Sequence, residues 1–138
     1  MQSTLVDPRT IATQTFDWGI IKPLVTNGST GSTTVSMLQV VLLPGRGHER
    51  HNHPDADEIL YILAGQAMQM VDDGEPFPMG AGQTVFIPTG AWHSTINAGW
   101  DPLSLLAIYA PSGAEEALRR LPDFREVPPG VVAGLVRE

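Results

Sequence analysis

The chain reads as an all-β fold, a sandwich or small barrel, on three observations. Short apolar runs recur at regular spacing. Fourteen glycines and twelve prolines punctuate them. Neither a βαβ alternation nor a glycine-rich phosphate loop interrupts the pattern. At 138 residues the chain is long enough to bury a core, and a single domain over 1–138 is expected. Its expected parts are an N-terminal arm over 1–15, a barrel over about 16–111, and a helix and tail over 112–138.

The elements follow in order. Thr33 to Leu43 is rich in β-branched and aliphatic residues and stops at Pro44-Gly45. Ile59 to Leu63 is a second strand closed by Gly65, and Ala67 to Val71 a third, with a turn at Asp72-Asp73-Gly74. Thr84 to Ile87 ends at Pro88 and Gly90. Ser94 to Asn97 and Leu103 to Tyr109 follow, separated by Gly99-Trp100-Asp101-Pro102. The one helix expected begins at Ser112, where Ser112-Gly113-Ala114-Glu115 reads as a capping box and Leu118 and Leu121 give an apolar edge. The tail from Asp123 to Glu138 is expected to be extended and partly loose.

Composition excludes several classes. Hydrophobic content of 42% fits a globular protein, and no apolar run reaches the length of a bilayer span. Met1 to Thr15 lacks the basic and apolar regions of a signal peptide. There is no cysteine, which removes thiolate ligands and a cysteine nucleophile and fits a reducing cytoplasm. Net charge is −7 and Lys22 is the only lysine, so nucleic acid and anionic membranes are disfavoured as partners.

Three of the four histidines crowd into His48-Glu49-Arg50-His51-Asn52-His53, and His93 lies forty residues on. On a strand, His51 and His53 project from one face. With Glu58 and His93 they make a set of nitrogen and oxygen ligands for one divalent transition metal. His48 has the opposite parity to His51, so a regular strand turns it away and a place near the barrel mouth is expected; a bulge would turn it inward as a fourth nitrogen ligand in place of Glu58. Glu49 and Arg50 read as solvated neighbours. Asn97 reads as a strand end, Met68 and Met70 as core or pocket lining, and Trp18 and Trp100 as structural. Trp92 would either shape a pocket or pack in the core.

With its glycines, the first cluster is Gly45-x5-His51-x-His53-x4-Glu58-x6-Gly65. The second is Gly82-x5-Pro88-x-Gly90-x2-His93-x3-Asn97. These resemble the two signature motifs of the cupin superfamily, with all ten positions filled. The resemblance implies a double-stranded β-helix, a jelly-roll barrel, here with a short C-terminal helix. It implies a metal held inside the barrel by His51, His53, Glu58 and His93. Zinc or iron(II) is expected first, with manganese, nickel and cobalt also suited to the ligands. Gly45, Gly65, Gly82 and Gly90 fall at strand ends, where positive φ is often required.

A narrower likeness lies in Trp18-Gly19-x-Ile21-Lys22-x-Leu24-Val25, His53-Pro54 with Glu58-Ile59-Leu60-Tyr61, and Asn97 to Leu103. These segments are similar to small cupins of aromatic polyketide pathways, of the tetracenomycin and resistomycin cyclase type. That likeness implies ring closure of a poly-β-ketone, with the metal as Lewis acid toward a carbonyl oxygen. Hydroxide at the metal, Glu49 or His48 would supply the base. An oxygenase using iron at the same ligands is the alternative enzyme, and a metabolite-binding cupin the non-enzymatic one. The partner is a small-molecule substrate. Outward-facing Ile59, Tyr61 and Leu63, together with the habit of small cupins, point to a homodimer.

Overall fold

The computed structural model describes residues 3–136. Ten strands form two antiparallel sheets. In chain order they are β1 (Thr13–Phe16), β2 (Gly19–Val25), β3 (Ser36–Leu42), β4 (Asp57–Ala64), β5 (Gln66–Val71), β6 (Phe77–Gly80), β7 (Thr84–Ile87), β8 (His93–Asn97), β9 (Leu103–Ala110) and β10 (Arg125–Val127). The larger sheet has the order β10-β1-β2-β3-β9-β4-β7 and the smaller β6-β5-β8. The two face each other across one core without closing into a single hydrogen-bonded cylinder.

Strict alternation sets which side chains face inward. On β3 these are Ser36, Leu38, Val40 and Leu42; on β9 they are Leu103, Leu105, Ala107 and Tyr109. The register aligns them in rows: Ser36, Tyr109 and Glu58 across β3, β9 and β4, then Leu38, Ala107 and Leu60. In the small sheet His93 lies opposite Val71, Thr95 opposite Gln69, and Asn97 opposite Ala67. The same parity turns Ile59, Tyr61 and Leu63 outward, each more than a third exposed.

The four glycines expected at strand ends all have positive φ, at 75° for Gly45, 93° for Gly65, 84° for Gly82 and 80° for Gly90. Asn97 is a buried brace: its Nδ2 donates to Leu42 O and Asp101 O, and its Oδ1 accepts from Gly99 N.

Several expectations need correction. The C-terminal helix is a 3-10 helix, Ala114–Arg120, capped by Gly113 with no side-chain cap. Ser112 Oγ instead donates to Ser32 O, while the buried Glu115 accepts from Gly113 N and from Ser36 Oγ at 2.8 Å. The tail is extended as expected over β10, which pairs with β1 from Thr13↔Val127 to Thr15↔Arg125, and has no helix or strand over 128–136; Arg137 and Glu138 lie outside the described residues. Polar β1 hides its strand character, because partners on both sides rather than its own apolarity hold it. Met68 points outward, since Ala67 and Gln69 occupy the inner face of β5. Trp92 and Trp100 are exposed rather than packed.

Candidate metal centre

The segment from Gly45 to His51 runs beside β8 and carries the histidines. Gly45 N donates to Asn97 O, His48 N to Thr95 O, and His51 N to His93 O. Gly47 pairs with Ile96 and His51 with His93. Four steps on one side therefore match three on the other. The extra residue is a β-bulge, and it reverses side-chain parity between Gly47 and His51. His48 thus faces the interior together with His51. This corrects the expectation that it turns away.

The ligand nitrogens of His51, His53 and His93 all lie within 4.8 Å of one another. Glu58 Oε2 is 2.9 Å from His53 Nε2 and 3.3 Å from His93 Nε2. These are ion-pair distances once a ring is protonated, but between the neutral rings and the carboxylate no hydrogen bond forms. His53 Nε2, His93 Nε2 and Glu58 Oε2 are buried and have no hydrogen-bond partner, and neither has His48 Nε2. Orphaned buried polar atoms are costly. Three that converge on one point fit a cation between them. The outer nitrogens agree: His51 Nδ1 donates to Glu49 O at 2.7 Å and His93 Nδ1 to Ala91 O at 3.0 Å. Each proton is fixed on Nδ1, and each Nε2 lone pair is left for a ligand. The donor set can hold a divalent metal.

The surroundings tune the charges. Burial alone would raise the Glu58 carboxyl, but the His53 and His93 rings beside it outweigh that and hold it at about 2. Burial opposes a charge on His93, yet Glu58 reverses the balance and raises its pKa. Burial lowers His51 despite its Glu49 carbonyl, and it lowers His48 to about 4, with the neighbouring histidines adding to the effect. At neutral pH His48 is therefore an uncharged imidazole.

These residues open onto a cavity of about 580 Å³ between the sheets. Leu38, Val40, Leu60, Leu105 and Ala107 give it apolar walls. Its mouth lies between Trp18, the Arg46–Arg50 loop and the 3-10 helix. Trp18 stacks on Phe16 at 4.4 Å and meets the His48 ring edge-on at 4.4 Å, fixing that imidazole from the far side. Glu49, the other candidate base, is exposed at the mouth. Sequence reasoning missed Tyr109, which lines the cavity with its ring 4.9 Å from that of His53. Burial, then the charges of Glu58 and Glu115, push its phenol well above the usual value. The signal was parity: Tyr109 continues the inward series Leu105, Ala107 on β9.

The cupin domain family matches residues 38–109, from β3 to Tyr109 of β9. The chain belongs to the cupin family. Among its relatives, polyketide synthase CurC of Streptomyces cyaneus is 27% identical over 118 residues, which are 86% of this chain and 76% of that protein. Tetracenomycin polyketide synthase protein TcmJ of Streptomyces glaucescens is 28% identical over 93 residues, 67% of this chain and 62% of that protein. The structure of an RmlC-like cupin from Shewanella frigidimarina covers 84% of this cupin and 96% of its own chain at a TM-score of 0.69. At 15% identity that likeness concerns the fold alone. No helix among the described residues is long and apolar enough to cross a membrane.

Proposed function

We propose that this cupin is a metal-dependent enzyme that closes a ring in an aromatic polyketide precursor. The observation that carries the reading is the convergence of His51, His53, His93 and Glu58 on one point beneath an apolar cavity. The polyketide synthase names of CurC and TcmJ supply the substrate class. His51, His53, Glu58 and His93 would hold a divalent transition metal, zinc or iron(II) before manganese, nickel or cobalt. Such a metal supplies Lewis acidity toward a carbonyl oxygen of a dicarbonyl compound.

The side chains around it do the rest. Leu38, Leu60 and Leu105 exclude water and give a carbon skeleton apolar walls. The neutral His48 imidazole, steadied by Trp18, accepts or returns a proton at the buried Nε2. Glu49, exposed at the mouth, is the second choice for that role. With no cysteine to oxidise, the protein suits a reducing cytoplasm. Two copies are proposed to pair through the outer face of β4 and β7, where Phe86 lies directly opposite Ile59 and both are exposed. Sedimentation of Phe86→Glu against wild type tests that pairing, with a monomer expected for the variant.

The decisive experiment strips the metal and reloads the protein separately with zinc and iron(II). Product is then followed with and without oxygen, using an aromatic polyketide precursor. Ring closure with zinc under nitrogen supports the proposal. Turnover confined to iron with oxygen replaces it with an oxygenase, and binding without turnover leaves a metabolite-binding cupin.

A further inference from the structure

We infer that the Tyr109 hydroxyl donates a hydrogen bond to an oxygen of the bound substrate, on the His53 side of the centre. The inference rests on the reading of the site as one for a dicarbonyl compound. Tyr109 lies between Ser36 and Glu58 in the row that crosses β3, β9 and β4. The outer two members of that row already have occupations. Ser36 Oγ donates to Glu115, and Glu58 faces the histidines. Tyr109 is 6% exposed and lines the cavity, and no hydrogen bond among the described residues uses its hydroxyl.

A phenylalanine would fill the same space and make the same edge contact with His53. The Tyr109 hydroxyl is not among the fully buried orphaned atoms, so it is reached from the cavity and can take a partner there. The phenol is protonated at any working pH, so it is a donor and its partner an acceptor. Leu105 and Ala107, which precede it on the inner face of β9, offer no polar group. An acceptor at Tyr109 and apolar walls beyond it describe a ligand with an oxygen at one end of a carbon framework. If the metal centre takes one oxygen of a dicarbonyl, Tyr109 is placed for another.

The test compares wild type with Tyr109→Phe, both zinc-loaded, by calorimetry with acetylacetone and, separately, imidazole. Imidazole can reach the centre without presenting an oxygen. Tyr109→Phe is expected to keep wild-type zinc content and imidazole affinity while binding acetylacetone about three- to tenfold more weakly. Equal acetylacetone affinity in the two proteins overturns the inference alone. Equal weakening of both probes also overturns it, since that is the mark of a structural role. Imidazole binding without acetylacetone binding in wild type removes the dicarbonyl reading, and the role of Tyr109 with it.

Discussion

His51 and His93 face each other across two strands, the backbone N–H of each donating to the carbonyl of the other at 3.0 and 2.8 Å. Two imidazoles separated by more than forty residues in sequence are thus fixed on neighbouring backbones. Their ring centroids are 4.3 Å apart. The candidate centre is built on ladder hydrogen bonds, which hold these two imidazoles side by side.

Removal of one ligand should therefore empty the centre without unfolding the protein. His51→Ala and His53→Ala are each expected to weaken metal binding by more than the roughly 10- to 100-fold that loss of an outer partner costs. Circular dichroism should be unchanged, because the leucine and isoleucine core does not depend on the ion. Full metal content in both variants would refute the assignment.

Glu58 and His48 separate binding from chemistry. Glu58→Gln keeps the shape but loses the charge that His53 and His93 surround, so metal affinity should fall. His48→Ala should change metal content little and lower turnover by about 10²- to 10⁴-fold, the range for a lost proton-transfer group. The reverse pattern, with metal lost from His48→Ala and kept in Glu58→Gln, would make His48 a ligand.

The bulge itself can be tested at Gly47. A Cβ there would strike Thr95 O and lie 2.8 Å from Ile96 Cα, both backbone atoms that have no room to yield. Gly47→Ala should cost about 1–3 kcal/mol in urea unfolding, the range for overpacking. It should also lower turnover, because His48 follows directly. A stable variant with full activity would mean that the bulge does not position His48.

Much of this fold could be read from residue types. The inward-outward alternation of β4 placed Glu58 inside and Tyr61 outside, and four glycines marked the turns at positive φ. His51, His53 and Glu58 could be picked out because they share one local motif and His93 because it sits in a second, and the structure brings the four together. The orientation of His48 was not legible. It depends on a one-residue mismatch between two paired segments, and pairing is a non-local fact. Tyr109 was legible in part: parity with Leu105 and Ala107 puts it inside, while the register with Glu58 on β4 shows which wall it lines. The cap at Ser112 failed because its hydroxyl found a carbonyl eighty residues away in sequence.

Acid should act on the metal-free protein through two histidines and then a carboxylate. His48 is held at about 4 against an ordinary 6.5, so the unfolded chain takes up that proton first as pH falls. Its contribution to stability is complete above 6.5 and is lost as pH drops toward 4; His51, also lowered, adds in the same direction. Glu58, held at about 2 against 4.5, contributes above 4.5 and loses that contribution on approach to 2. His93 has the opposite sign. Its raised pKa stabilises below 6.5 and the gain is lost as pH rises through the folded value. Metal uptake must also displace the His93 proton, so affinity should rise with pH through the raised folded value, above 6.5, with proton release on binding. Thermal melts of the metal-free protein and of His48→Asn measure the first effect, and the variant should lose less stability between pH 6.5 and 4. Zinc titrations in two buffers of different ionisation enthalpy measure the second. Identical melting curves for wild type and variant over that range would show that His48 is not buried as a neutral ring. Zinc binding with no proton release near pH 6.5 would show that Glu58 does not hold a proton on His93.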